Sequence, residues 1–269
     1  MSSYITFLTD FGLRDDYVGV CRGVMQRIAP DAKILDLSHG IAPQAVNQGA
    51  LMLSRALPYL PEGVHLAVVD PGVGGDRRAI AIRTTDGRHF VGPDNGLLSL
   101  AAPAESVEAV CSLTNPSFHL QPVSRTFHAR DIFAPVAAHL ANGIAISELG
   151  DEVDPATLVR VKVPEPEVSR GALRATVLAV DRFGNLELNL SREHVDALDV
   201  DPGDRIELVF ALDPFYAVVA ETYVDARRGE LILYEDSYGA YSIAISGGDA
   251  AGLTGAVPGD RVRINRSYE

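Results

Sequence analysis

The stretch VVDPGVGGDRR, residues 68–78, joins an acid, a glycine-rich turn and two arginines. Those residue types suit either an anion-binding loop or a carboxylate–guanidinium site. The anion reading fails on spacing. A nucleoside-triphosphate loop needs a lysine after its last glycine, and a dinucleotide loop needs a third glycine where this chain has Arg77. The sequel, AIAIRTTDGRHFVGPDNG (79–96), alternates around Asp-Gly and predicts a β-hairpin. An anion site would need a helix N-terminus there, with its dipole and free amides. The glycines are expected instead to turn the chain sharply, so that Asp70 and an arginine share one cavity.

Other residues could join them. TFHARDIFAP (126–135) places His128 in a short polar interruption just before a helical run, where it could equally cap the helix or satisfy a buried carbonyl. TDFGLRDDY (9–17) offers Asp10, Asp15 and Asp16. A turn or N-cap is the expected role of Asp16, and Asp36 and the GPDNG turn (92–96) are expected to be structural. No pair of histidines has metal-ligand spacing near acids. On residues alone, the strand-end acids would also suit a metal-dependent phosphohydrolase.

The elements that must carry these groups follow from periodicity. YITFLTDFG (4–12), AKILDLSHG (32–40) and VHLAVVDPG (64–72) each run apolar and end on a polar residue and a turn. YVGVCRGVMQRIAP (17–30) and AVNQGALMLSRALPYL (45–60) lie between them with helical spacing and proline stops, and DIFAPVAAHLANG (131–143) is a further helical stretch. The pattern predicts an α/β N-terminal domain over 1–162, its mostly parallel sheet covered by helices. Ligands on such sheets sit beyond the carboxyl ends of the strands, where these acids cluster. VKVPEPEVSRG reads as a linker, taken as 163–171. From 172 to 269 short alternating strands separated by turn residues predict a smaller all-β domain, a barrel or sandwich.

Composition bounds the partners. The 269 residues are 47% hydrophobic and 22% charged, ordinary for a soluble globular protein. A formal charge of −13 argues against nucleic acid and is compatible with a cationic small substrate. No apolar run reaches the roughly 20 residues of a membrane helix, so no membrane partner is expected. MSSYITFLTDFG lacks the basic and apolar segments of a signal peptide, which leads to the expectation of a cytoplasmic protein. Cys21 and Cys111 are too few for a disulfide framework and read as packed interior.

TDFGLRDDYVG, VVDPGVGGDRR, GPDNG, TFHARDIFAP and VDRFGNLELN, in this order and spacing, resemble the S-adenosyl-L-methionine hydrolases that form adenosine, relatives of the bacterial fluorinase and chlorinase. The resemblance spans nearly the whole chain. It implies that Asp70, Arg77 and His128 position and activate water, with Arg78 left outside the set. It implies that Asp10 holds the ribose diol and that Asp15 lies where the methionine end binds. Asp181 and Ser237 match methionine contacts, while Phe183 and Asn185 match adenine contacts. No cofactor and no metal is implied. The resemblance also implies a homotrimer, with substrate bound between the N-terminal domain of one subunit and the C-terminal domain of its neighbour.

Halogenases of this kind carry Tyr where Asp70 stands and lack the histidine, and the fluorinase has a serine at Ala129, where hydrolases usually have Gly. A carboxylate would repel a halide and can accept a hydrogen bond from water, so hydrolysis is the expected reaction. Two alternatives stay open at this point: a non-catalytic adenosine or S-adenosylmethionine binder, and a halide-using 5′-halogenase.

Overall fold

The computed structural model describes residues 3–169 and 171–267. They divide into two compact units, Met1–Val161 and Lys162–Glu269.

The first unit opens with β1 (Tyr4–Thr9), α1 (Tyr17–Ile28), β2 (Lys33–Ser38), α2 (Val46–Ala56) and β3 (Val64–Val68). The strands β4 (Ala79–Thr84), β5 (His89–Pro93) and β6 (Val107–Ser112) follow, then α3 (Ala134–Ala141) and β7 (Asp151–Glu152). The seven strands lie in the order β2-β1-β3-β5-β4-β6-β7. β2, β1, β3 and β5 are parallel, whereas β5–β4, β4–β6 and β6–β7 pair antiparallel. The sheet is therefore mixed, and the expected parallel arrangement describes only its first half. The physical reason is the Asp86-Gly87 turn: it returns the chain directly into β5, where a parallel neighbour would need a crossover.

Side-chain alternation assigns the faces of this sheet. Val64, Leu66 and Val68 of β3 pack with Val18, Cys21 and Met25 of α1 and Val136 of α3. Ala67 and Val69 point the other way, toward Leu53 of α2. Both faces of β3 are covered, which is why it reads apolar except at His65, whose buried ring bonds Thr6. The chain goes from β1 to β2 through α1, then back past β1 to β3 through α2. Its direction thus reverses between β1 and β3, and the carboxyl ends of these two strands form the crevice where ligands of open α/β sheets bind. Cys21 and Cys111 are buried free thiols, pushed by burial up to about 12 and about 11 respectively.

In the second unit, the segment expected as a linker carries β8 (Glu167–Ser169), paired with β9 (Ala172–Val180). There follow β10 (Leu186–Ser191), the short α4 (Arg192–Asp196), β11 (Arg205–Phe210), β12 (Asp213–Val219), β13 (Leu231–Glu235), β14 (Ala240–Ile245), the short α5 (Ala250–Thr254) and β15 (Arg261–Arg266). The order is β10-β14-β13-β12-β11-β15-β9-β8, and β10 also pairs with β9. That last pairing closes the sheet on itself into a barrel. Leu173, Ala175 and Val177 of β9 alternate into its core beside Leu188, Leu208 and Ile243.

Candidate active site

Thr9 is in register with Val68, so Asp10 and Asp70 leave neighbouring strand ends at the crevice. Alternation then sorts the loop residues. Asp70 continues the Val64–Leu66–Val68 side, and Arg77 precedes Ala79 and Ala81, which face the same α1/α3 side. Arg78 precedes Ile80 and Ile82, which face α2. The two adjacent arginines consequently diverge. Arg78 pairs with buried Asp94 at 2.5 Å and reaches Thr157, a cross-link within the unit.

Arg77 turns to Asp70. Its Nε lies 3.0 Å from both carboxylate oxygens and its Nη2 lies 2.5 Å from Oδ2. The side chains are only 11% and 6% exposed, so the pair is shielded and strongly directional. Below it, the guanidinium sits 5.2 Å from the Phe133 ring centroid, an aromatic face that suits a weakly hydrated cation.

The same Nη2 lies 2.8 Å from His128 Nδ1. A guanidinium has no acceptor, so Nδ1 must accept and the imidazole is neutral with its proton on Nε2. Burial and then the Arg77 charge push the His128 pKa below the ordinary imidazole value, against the opposing pull of Asp70 and Asp131. His128 stands at the N-cap of a π-helical turn, Ala129–Phe133, but makes no side-chain capping bond. The helix-cap role that its position allowed is therefore not the one it plays.

The loop meets the His128 segment through Gly74. This residue has φ +77°, and a Cβ there would collide with the Arg125 carbonyl. Only glycine combines that backbone with that approach. Asn95, in the GPDNG turn read as structural, donates from Nδ2 to the Val69 carbonyl at 2.8 Å and so fixes the residue before Asp70.

Asp10 is half-buried and accepts the Gln44 N–H at 2.9 Å. Gln44 has φ +67°, a left-handed conformation costly for a side-chain-bearing residue, and such strain clusters at functional sites. Asp15 is exposed in the same loop, and Asp16 sits at the α1 N-cap without a side-chain cap bond. Phe11 and Tyr17, which flank these acids, contact the ring of Phe127 edge-on, next to His128.

In the second unit, Asp181, Phe183 and Asn185 share the β9–β10 turn. Asp181 Oδ1 accepts the Phe183 and Asn185 amides at 2.8 and 2.9 Å, and Oδ2 accepts Asn185 Nδ2 at 2.7 Å. The Phe183 ring is 67% exposed. Ser237 is exposed in the separate β13–β14 turn, and among the described residues no hydrogen bond joins it to the first turn. Between them, Tyr223 Oη lies 3.4 Å from Asn185 Nδ2 and 2.6 Å from Tyr234 Oη.

Two family models match the chain: the SAM hydroxide adenosyltransferase N-terminal domain over residues 5–150 and its C-terminal domain over residues 175–263. The chain belongs to the SAM hydroxide adenosyltransferase family. A Salinispora tropica relative called (R)-S-adenosyl-L-methionine hydrolase is 45% identical over 262 residues, covering 97% of each chain. A Thermus thermophilus relative of the same name is 39% identical, covering 97% of this chain and 98% of its own. A fluorinase of Actinopolyspora mzabensis is 27% identical, covering 98% and 97%. The crystal structure of an uncharacterized conserved protein from Thermotoga maritima superposes with a TM-score of 0.90 at 38% identity, over 97% of this chain and all of that one.

The structure brings Asp70, Arg77 and His128 together through the Arg77 guanidinium, and Asp181 and Asn185 into a second contact. Sequence reading assigned no site role to Asn95, which fixes the Val69 carbonyl, or to Asp131. The second of these carried a signal: Asp131 is an acid inside an apolar helical run, and it is fully buried.

Proposed function

We propose that the chain hydrolyses S-adenosyl-L-methionine to adenosine and L-methionine, with water attacking the ribose C5′. The observation that carries this is the Arg77 guanidinium shared between the Asp70 carboxylate and His128 Nδ1. The set offers a carboxylate acceptor and an Arg77 Nη1 that makes no hydrogen bond among the described residues, with the His128 imidazole beside them, an arrangement complementary to one small polar molecule. Relatives sharing 45% and 39% identity carry the hydrolase name, against 27% for the fluorinase. A shielded carboxylate at Asp70 also disfavours a halide in that place.

The reaction forms a C5′–O bond and breaks the C5′–S bond, with the electron pair passing to sulfur and one proton released. A carboxylate is a far weaker base than hydroxide, so full deprotonation of water before attack would be steeply uphill. Orientation is therefore the main contribution of the set, with proton loss late or with hydroxide captured beside Arg77 and His128. Positioning supplies up to about 7–11 kcal/mol in well-oriented reactions. Extinction of the sulfonium charge in a water-excluding site favours the same direction.

In this reading Asp10 holds the ribose hydroxyls and Asp15 the methionine end. Phe183 and Asn185 contact adenine, Asp181 and Ser237 contact methionine, and the working form is a homotrimer in which a neighbouring copy supplies these last four. Incubation with S-adenosyl-L-methionine in water labelled with heavy oxygen tests the reaction. Label in the adenosine 5′-hydroxyl is expected; unlabelled adenosine, or a 5′-halogenated product when chloride is added, would overturn it.

A further inference from the structure

We infer that Asp131, paired with Arg130, is a positioning residue that holds His128 against Arg77. The inference rests on the function proposed above for its catalytic meaning, and on geometry alone for its physical one.

Asp131 is 0% exposed and lies in a turn with apolar Ala129, Ile132 and Phe133, where Arg130 is the one charged neighbour. A carboxylate in such a place is costly unless every oxygen is satisfied. Here Oδ1 takes Arg130 Nε at 2.6 Å, and Oδ2 takes Arg130 Nη2 at 2.9 Å and the Ser124 amide at 2.8 Å. The backbone of the same residue accepts from Leu120 N at 2.8 Å and donates to Phe127 O at 3.2 Å. One residue thus pins the chain at 120, 124 and 127, the whole approach to His128.

Two further contacts tie this anchor to the imidazole. Arg130, which reaches back to its own neighbour, covers the Phe127 ring with its guanidinium 5.2 Å from the centroid. The Ser124 backbone faces the His128 ring and the Asp131 charge acts on it, both raising its proton affinity. His128 is therefore gripped on one ring edge by Arg77 and backed by the segment that Asp131 fixes. Burial of Asp131 needs Arg130, and the wider π turn presents the carboxylate inward while Arg130 keeps a third of its side chain in solvent.

The test uses the full-length protein and two variants. Asp131→Asn keeps the shape but removes the charge that binds Arg130, and Arg130→Gln removes the charged partner while leaving the Ser124 amide on Asp131. Nitrogen NMR of the histidine rings, recorded without substrate, reads the His128 tautomer directly. The wild type is expected to show a proton on Nε2 only, and each variant a mixed population. Hydrolysis assays are expected to show kcat lowered about 10- to 100-fold, the scale of a modest misplacement, with KM within about twofold. A wild-type tautomer and kcat in the variants would overturn the inference, as would a loss of activity that merely follows the unfolded fraction. Should Asp131→Asn fail to fold, Arg130→Gln decides alone. A tautomer change in a protein that does not hydrolyse S-adenosyl-L-methionine would retain the inference and discard the proposed function.

Discussion

Arg77 Nη2 stands 2.8 Å from His128 Nδ1, across 51 residues of chain, and donates there because it has nothing to accept with. The contact fixes the charge state of the histidine without a bound ligand. Protonation of His128 would place a proton where Arg77 already points one, so acid breaks the contact.

This sets a pH dependence. Burial and Arg77 hold the His128 pKa below its ordinary value, so the working, neutral form persists into mild acid. The acid limb of kcat/KM is expected below about pH 6.5. A limb at or above that value would show that another group controls the reaction.

Replacing Arg77 by Lys keeps the charge and loses the fork. An ammonium cannot span both Asp70 oxygens and His128 Nδ1 in fixed directions. The predicted loss in kcat is about 100-fold, comparable to removing one preorganised donor. Circular dichroism should stay that of the wild type; near-normal turnover in a folded variant would remove Arg77 from its proposed role.

Phe183 is exposed on a turn that Asp181 holds from behind. Its truncation should leave the melting temperature unchanged, since the ring supports no core. If it stacks on adenine, Phe183→Ala gives up about 1–3 kcal/mol, read as a rise in KM of about tenfold. An unchanged KM would move the base elsewhere.

His65 supplies a stability prediction away from the site. It is fully buried beside Thr6, and desolvation together with Arg88 and His89 lowers its pKa to about 4, against a weaker opposing effect of Asp86. The folded state therefore binds fewer protons than the unfolded chain between about 6.5 and about 4. Its contribution is complete above that window and is lost as pH falls through it, by about 2 kcal/mol at about pH 5. Urea unfolding at about pH 7.5 and about pH 5 should show that loss in the wild type and a smaller one in His65→Gln.

Much of the architecture was legible because it follows local rules. Apolar runs ending in Thr9 and Val68 declared buried strands, and the Asp-Gly pair declared the hairpin that makes the sheet mixed. The contact of Asp70 with Arg77 was legible as a turn with chemistry at both ends. His128 was not placed there by spacing; its partner lies in a distant segment, and only the family motifs pointed to it. Nor could the sequence distinguish the structural duty of Asn95 from that of any turn residue, because hooking the Val69 carbonyl requires a strand that only the fold brings alongside. Asp131 did carry a signal, an acid at the head of an apolar helical run, but the Ser124 and Leu120 amides it meets come alongside only in the fold.

Arg77 and Arg78 face opposite sides of one strand, one toward His128 and the other toward Asp94. Their phase is set by β4, whose first residue Ala79 is held opposite Pro93. Adding or deleting a residue within 71–76 would therefore leave both arginines facing as they do, whereas one residue added between Arg78 and Ala79 would exchange them, sending the proposed catalytic guanidinium to brace the fold and the bracing one into the crevice. The RR dipeptide takes its frame from the strand that follows it, and the turn has only to span the gap.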